Sequence, residues 1–253
     1  MRLVYPLVIA LFCSGCASVI SDDEMSMTVE SEPQDVLFHN LKYPEGRGPF
    51  PLMIVLHTAG GYLLSVEEIP RYLELGYAVA VPDYFTRFGL SSENRFQAFK
   101  ERRTDIESAL LEFVDYLKEQ ENIDSSRIYS VGMSAGGFYA AFLACQKAVA
   151  AGVAHYGVWA YPGYSDQKKK YPAQYFDDEC NPFLALHGKK DKIQKIKNAK
   201  RAFDYIKKTK NPFEFYVYPK GGHRWERNWD RGAEYIAEDA LKRTHEFVQS
   251  AGQ

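Results

Sequence analysis

The sequence predicts an α/β fold: a mostly parallel central sheet with helices on both faces. Three observations carry that expectation. Short apolar runs of strand length alternate with longer segments whose apolar residues recur at helical spacing, the pattern of repeated strand-helix-strand units. The run Leu52-Met53-Ile54-Val55-Leu56 is apolar at every position, as a strand buried on both faces must be. Finally, in the stretch 127–137 a run containing Ile128, Tyr129 and Val131 passes through a glycine-rich turn into the Ala-rich run that follows Phe138. With 253 residues, 46% hydrophobic and 15% aromatic, the chain can bury a large core, and one catalytic domain is expected.

Residues 36–43 alternate loosely and open the fold as a strand, turned by Pro44-Glu45-Gly46 into the strand at 52–56. That strand ends in His57-Thr58-Ala59-Gly60-Gly61. A helix is expected next, opened by Ser65 with Glu68 three residues on, a capping-box spacing. Ala78-Val79-Ala80-Val81 reads as the following strand, stopped by Pro82-Asp83. The stretch Phe96–Leu117 is expected to form the longest helix, with Ile106, Leu110, Phe113, Val114 and Leu117 on one face. Beyond residue 137, strands are expected near 151–156, 182–186 and 213–218, and helices near 194–207 and 232–249.

Gly132-Met133-Ser134-Ala135-Gly136 is a G-x-S-x-G sequence between a strand and a helix, the setting of a nucleophile elbow. In such a turn the serine is strained, and the glycines are small because a side chain there would collide with neighbouring backbone. The helix starting at Ala135 points its free N–H groups toward any anion formed at Ser134 Oγ.

A serine hydroxyl is a poor nucleophile at neutral pH without a base to take its proton, so a histidine and an orienting carboxylate are required. His223 is the expected base: it follows Gly221-Gly222 in the loop after the final strand, at the edge of a parallel sheet where ligands bind. His39, His155 and His245 fall on an edge hairpin, inside an apolar strand and on the last helix, and read as structural or solvated. Asp191, delivered by the loop after Leu184-Ala185-Leu186, is the expected acid and completes the order Ser, Asp, His used by α/β-hydrolases. Asp177, Asp178 and Glu179 are rivals that precede that strand and fall at its opposite end. An oxyanion hole needs two backbone N–H donors. Ala135 supplies one; Ala59 is the second, with Thr58 as alternative, and His57 is expected to brace the loop.

At the start of the chain, Met1-Arg2 precedes an apolar stretch, Leu3–Phe12, too short to span a bilayer, followed by Cys13-Ser14-Gly15-Cys16. This reads as a secretion signal over 1–16 whose end resembles the lipobox of bacterial lipoproteins, with Cys16 as the lipidated residue and Cys13 in place of the usual leucine. Residues 17–34 read as a polar tether, and 35–253 as the catalytic domain. The expected location is the bacterial cell envelope, lipid-anchored to a membrane; the alternative is cleavage after Ala17 and a soluble secreted or periplasmic protein. Cys145 and Cys180 form either a disulfide or two buried thiols. No Cys/His spacing suggests a metal site, and a net charge of −2 gives no basic field for nucleic acid. Lys168-Lys169-Lys170 reads as a solvated loop.

From about Phe50 to its C-terminus the chain resembles the dienelactone hydrolase family of α/β-hydrolases. The landmarks are Pro82-Asp83-Tyr84-Phe85-Thr86-Arg87, Gly132-Met133-Ser134-Ala135-Gly136-Gly137, Tyr156-Gly157-Val158 and Tyr218-Pro219-Lys220-Gly221-Gly222-His223-Arg224-Trp225, in the family's order. The resemblance implies the α/β-hydrolase fold, ester hydrolysis and no cofactor. Two departures point away from dienelactone itself and toward serine esterase chemistry. Ser134 stands where the family has a cysteine nucleophile, and Thr58 where it has a glutamate in the oxyanion loop. The family's arginines that hold a substrate carboxylate have counterparts in Arg87 and Arg227, which implies an anionic small-molecule ester; the alternative is that both are ordinary surface arginines. Residues 158–181, carrying Trp159, Tyr161, Tyr164, Tyr171, Tyr175 and Phe176, read either as a partial lid or as a loop packed onto the domain. The reading is thus a serine hydrolase that cleaves carboxylic esters through a Ser-His-Asp triad and an acyl-enzyme. A peptidase or thioesterase with the same triad, and a non-catalytic surface binding lipoprotein, are the alternatives.

Overall fold

Side-chain alternation within the strands decides the layers. Leu52, Ile54 and Leu56 enter one apolar core while Met53 and Val55, between them, enter another. Both faces of that strand are therefore covered, which is why its sequence is apolar without a break. The computed structural model describes residues 36–159, 172–225 and 233–251. Within them the strands are β1 (His39–Lys42), β2 (Phe50–Leu56), β3 (Ala78–Pro82), β4 (Ile123–Met133), β5 (Ala151–His155), β6 (Phe183–Gly188) and β7 (Phe213–Tyr218). They form one sheet in the order β1-β3-β2-β4-β5-β6-β7. β1 runs antiparallel to β3, and every other pairing is parallel. This is the α/β-hydrolase arrangement, with β4 in the middle of the sheet.

The helices are α1 (Leu63–Val66), α2 (Ile69–Leu73), α3 (Arg103–Lys118), α4 (Ala135–Cys145), α5 (Ile196–Ile206) and α6 (Ala233–Ala251). The first core packs Ile106, Phe113 and Leu117 of α3, Phe138 of α4 and Phe203 of α5 against the sheet; the second packs Ile69 of α2 and Ala240 and Val248 of α6. Each fully buried side chain of this size contributes about 1.5–3 kcal/mol relative to exposure. Since α4 is buried along nearly its whole length, its sequence is apolar all round and not amphipathic.

Two expectations fail for identifiable reasons. Ser65 does not cap a helix: it lies inside α1, its N–H donates to the Tyr62 carbonyl, and its buried Oγ has no partner among the described residues. Pro70, in the first turn of α2, has no N–H to continue a helix from α1, so the stretch breaks into two short pieces. Similarly, the helix expected from Phe96 starts only at Arg103, and α6, with 19 residues, is longer than α3, with 16. Residues Arg95–Phe99 form a 3-10 turn in which the Ala98 carbonyl accepts the Tyr139 hydroxyl at 2.6 Å. The oxygen that an α-helix would have used at that point is occupied by α4.

Cys145 and Cys180 form a disulfide that joins the end of α4 to the loop before β6. In that loop the Tyr175 hydroxyl donates to Glu107 Oε1 at 2.6 Å and its ring packs on Phe138 and Phe142, so this part of segment 158–181 is packed onto the domain. Residues 160–171, where the lid expectation and Lys168–Lys170 fall, lie outside the described residues. No helix among the described residues is long and apolar enough to cross a membrane.

Candidate active site

The carboxyl ends of the parallel strands meet at one edge of the sheet, and three side chains converge there. Ser134 follows β4 and has φ 53° and ψ −106°, a conformation that costs a non-glycine residue about 1–3 kcal/mol. Three backbone hydrogen bonds hold it: Ser134 N–H donates to the His155 carbonyl at 3.0 Å, and its own carbonyl accepts from Gly137 and Val158 at 3.1 and 2.9 Å. The flanking glycines are required by contact. A Cβ on Gly132 would run into the Gly136 carbonyl, and one on Gly136 into the Leu56 carbonyl at the end of β2.

Asp191 comes from the turn after β6. Its Oδ1 accepts the N–H groups of Ile193 and Gln194, both at 2.8 Å, and its Oδ2 accepts from His223 Nδ1 at 2.7 Å. With Nδ1 carrying the proton, His223 Nε2 is an acceptor, and Ser134 Oγ lies 3.1 Å from it. The histidine loop is pressed against the aspartate turn through backbone: Lys190 N–H donates to the Gly221 carbonyl at 2.8 Å, and a Cβ on Gly188 would strike Gly221 and Gly222. On its other side the Tyr156 ring sits 4.6 Å from that of His223.

Two bracing groups escaped the sequence reading. His187 is fully buried beneath the aspartate; its Nε2 donates to the Gln194 carbonyl at 2.7 Å and lies 3.8 Å from Asp191 Oδ2. Burial pushes its pKa down, which favours the neutral ring. The only signal was a histidine at the end of the apolar run Phe183-Leu184-Ala185-Leu186, four residues before Asp191. Tyr84 is the second: its ring stacks on His57 at 3.8 Å, and its hydroxyl donates to the His57 carbonyl at 2.5 Å. His57 in turn donates from Nδ1 to the Thr58 carbonyl at 2.8 Å, and burial drives its pKa down to about 4. It braces the loop and is buried away from reaction.

In that loop the Gly61 N–H donates to the Thr58 carbonyl and the Gly60 N–H to Thr58 Oγ1, so both are engaged within the turn. Ala59 lies between Thr58 and Gly60, and Ala135 opens α4 beside Ser134. Arg87 is exposed on the 3-10 turn Thr86–Phe88, with its guanidinium 5.8 Å from the Phe88 ring. Arg227 and Cys16 lie outside the described residues. The other histidines are occupied elsewhere: His155 bonds Thr244 Oγ1 at 2.8 Å, His245 bonds Tyr77, and His39 bonds the Leu37 carbonyl. Of the rival carboxylates, Asp177 accepts the N–H groups of Glu179 and Cys180, Asp178 that of Lys210, and Glu179 pairs with Lys147. Among the described residues no group of three or more His, Cys, Asp or Glu side chains is disposed to hold a metal ion.

The sequence profile of the dienelactone hydrolase family matches residues 40–252. The chain belongs to the dienelactone hydrolase family. As a member it is an α/β-hydrolase acting on ester bonds. Among solved structures it is similar to a candidate dienelactone hydrolase of Klebsiella pneumoniae subsp. pneumoniae, at 20% identity and a TM-score of 0.67, over 85% of this chain and 99% of that one. It is also similar to esterase 2 of Thermogutta terrifontis in its propionate-bound form, at 15% identity and a TM-score of 0.68, over 85% and 89% of the two chains. The same esterase phosphorylated by paraoxon matches at 16% identity, with a TM-score of 0.68, over 85% and 88%. At these identities the likeness is one of fold. No curated protein sequence matches the chain.

Proposed function

We propose that this dienelactone hydrolase family member cleaves carboxylic esters through an acyl-enzyme on Ser134, with His223 as general base and acid and Asp191 as its orienting partner. The observation that carries the reading is the unbroken hydrogen-bond chain from Ser134 Oγ to His223 Nε2 and from His223 Nδ1 to Asp191 Oδ2. Ser134 Oγ attacks the ester carbonyl carbon while His223 Nε2 takes its proton. Negative charge gathers on the carbonyl oxygen, and the N–H groups of Ala135 and Ala59 hold it, supported by the N-terminal end of α4. Collapse breaks the bond to the alcohol oxygen, which leaves with the proton from His223. Water then attacks the acyl-serine, giving a proton to His223, and the carboxylic acid departs with Ser134 restored. Asp191 keeps Nε2 free to accept and stabilises the imidazolium.

Arg87, with Arg227, belongs to the proposal as the pair that receives a substrate carboxylate. The esterase of similar fold binds propionate and is phosphorylated by paraoxon, which supports starting with short acyl esters and phosphorus-based serine reagents. A secretion signal ending in a lipidated Cys16, and hence a place in the bacterial cell envelope, completes the proposal.

The test is fluorophosphonate labelling of the folded protein, mapped by mass spectrometry, beside Ser134→Ala and His223→Ala. The expected result is one adduct on Ser134, absent from the first variant and at least a hundredfold slower in the second. A folded wild type that takes no label and turns over no ester would refute the triad and favour a binding protein.

A further inference from the structure

In the turn that carries Asp191 the usual burial preference is inverted. Ile193 is 65% exposed, while its polar neighbour Gln194 is only 8% exposed. The inversion is built in, because the N–H groups of both residues are fixed to Asp191 Oδ1. The bonds that orient the carboxylate therefore also hold an isoleucine out in solvent. Lys189, Lys190, Lys192 and Lys195 flank it in sequence, all exposed. None of the four has a carboxylate within 4.0 Å among the described residues, whereas Lys118, Arg127, Lys147 and Arg243 are all paired. The imbalance runs on into α5: residues 189–208 hold nine Lys and Arg against two Asp, in a chain whose net charge is −2.

A solvated charge run explains lysines, but it does not explain an aliphatic side chain fixed outward among them. Lysine stems and an apolar tip together suit a charged interface with hydrocarbon behind it. After β2, Leu63 of α1 is 76% exposed as well. Three ladder steps separate β2 from β6, so Leu63 and Ile193 rise from strand ends about 14 Å apart, with the Ser134 strand between them.

We propose that this rim, basic around Ile193 and apolar at Ile193 and Leu63, docks on an anionic phospholipid bilayer and presents the mouth of the site to it. The occupant follows from charge complementarity: an anionic headgroup layer satisfies the unpaired lysines while the two aliphatic tips enter the acyl boundary. Esters dissolved in or adsorbed to the bilayer then reach Ser134 without crossing bulk water. That last consequence rests on the triad reading; the docking itself does not.

The experiment uses the full chain and vesicles of phosphatidylglycerol with phosphatidylethanolamine, against pure phosphatidylcholine. Lys189→Gln, Lys192→Gln and Lys195→Gln are combined in one variant, and Ile193→Trp provides a local reporter. Each lysine near an anionic surface contributes roughly fivefold. Binding of the triple variant to anionic vesicles is therefore expected to be about a hundredfold weaker, with hydrolysis of a soluble ester unchanged. The tryptophan at position 193 is expected to be quenched by brominated acyl chains in anionic vesicles only. Equal binding of wild type and triple variant, or no quenching at 193 in bound protein, overturns the proposal. Lysine-dependent binding to RNA or an acidic protein with no quenching at 193 overturns it too, in favour of a polyanion site. Loss of hydrolysis with docking intact would instead count against the triad alone.

Discussion

Replacing Asp191 by Asn tests the site most sharply, because the surroundings dictate which way the new amide must face. Two backbone N–H groups, of Ile193 and Gln194, point at Oδ1 from 2.8 Å, so the amide oxygen has to occupy that place. The amide nitrogen then falls where Oδ2 was, 2.7 Å from His223 Nδ1, and it can only donate. His223 must accept at Nδ1 and carry its proton on Nε2, the atom that should take the proton from Ser134. The ring is held in place but in the wrong tautomer, and it loses the negative charge that stabilises its protonated form. A comparable tautomer error lowers turnover roughly ten-thousandfold, about 5 kcal/mol of transition-state stabilisation. The assay is the rate of fluorophosphonate labelling and of short-chain nitrophenyl ester hydrolysis, with thermal melting to show that the variant is folded. A folded Asp191→Asn protein within tenfold of wild type would refute the argument that Asp191 sets the tautomer.

Two further predictions concern stability. His57 has a pKa of about 4 in the fold, chiefly through burial, against 6.5 when exposed, so between those values the unfolded chain takes up a proton that the folded chain refuses. Stability is expected to be complete above pH 6.5 and to fall by roughly 3 kcal/mol toward pH 4. Urea midpoints across that range should show His57→Gln with a shallower fall than wild type, and identical slopes would assign the loss to other groups. The Cys145–Cys180 disulfide spans 35 residues, for which chain entropy gives about 4 kcal/mol. A Cys145→Ser, Cys180→Ser protein is expected to unfold at clearly lower urea than the oxidised wild type and to match it once both are reduced; a difference that survives reduction would mean that side-chain packing, and not the crosslink, is responsible.

The sequence made the sheet legible because its strands are short and punctuated, and the run Leu52–Leu56 in β2 is too apolar to be anything but central. That Ser134, Asp191 and His223 would meet was legible because each stands just after a recognisable strand, and a parallel sheet brings all such positions to one edge. What stayed hidden depends on contacts between distant segments. The break before α3 is decided by Tyr139, 41 residues away, bonding the Ala98 carbonyl. The bracing of the loop after β2 by Tyr84 is invisible in a sequence where that tyrosine looks like one more apolar residue at a strand end. Ser65 and Glu68 had the spacing of a capping box, yet Pro70 overrode it, a local conflict that a stricter reading of the proline would have caught. Whether Cys145 and Cys180 pair was a question of distance, and spacing alone cannot answer it.

The disulfide also acquires a meaning from where its two ends lead. From Cys145 the chain runs back along α4 to Ser134; from Cys180 it runs up β6 to Asp191; and at the far edge His223 ties Ser134 to Asp191. The result is a closed ring, covalent at one edge of the sheet and hydrogen-bonded at the other, with a helix and a strand as its two rigid sides. Neither side can slide along the other without breaking the ring at one of its ends. The alignment of serine and aspartate at one edge is thereby kept in register by a crosslink at the other.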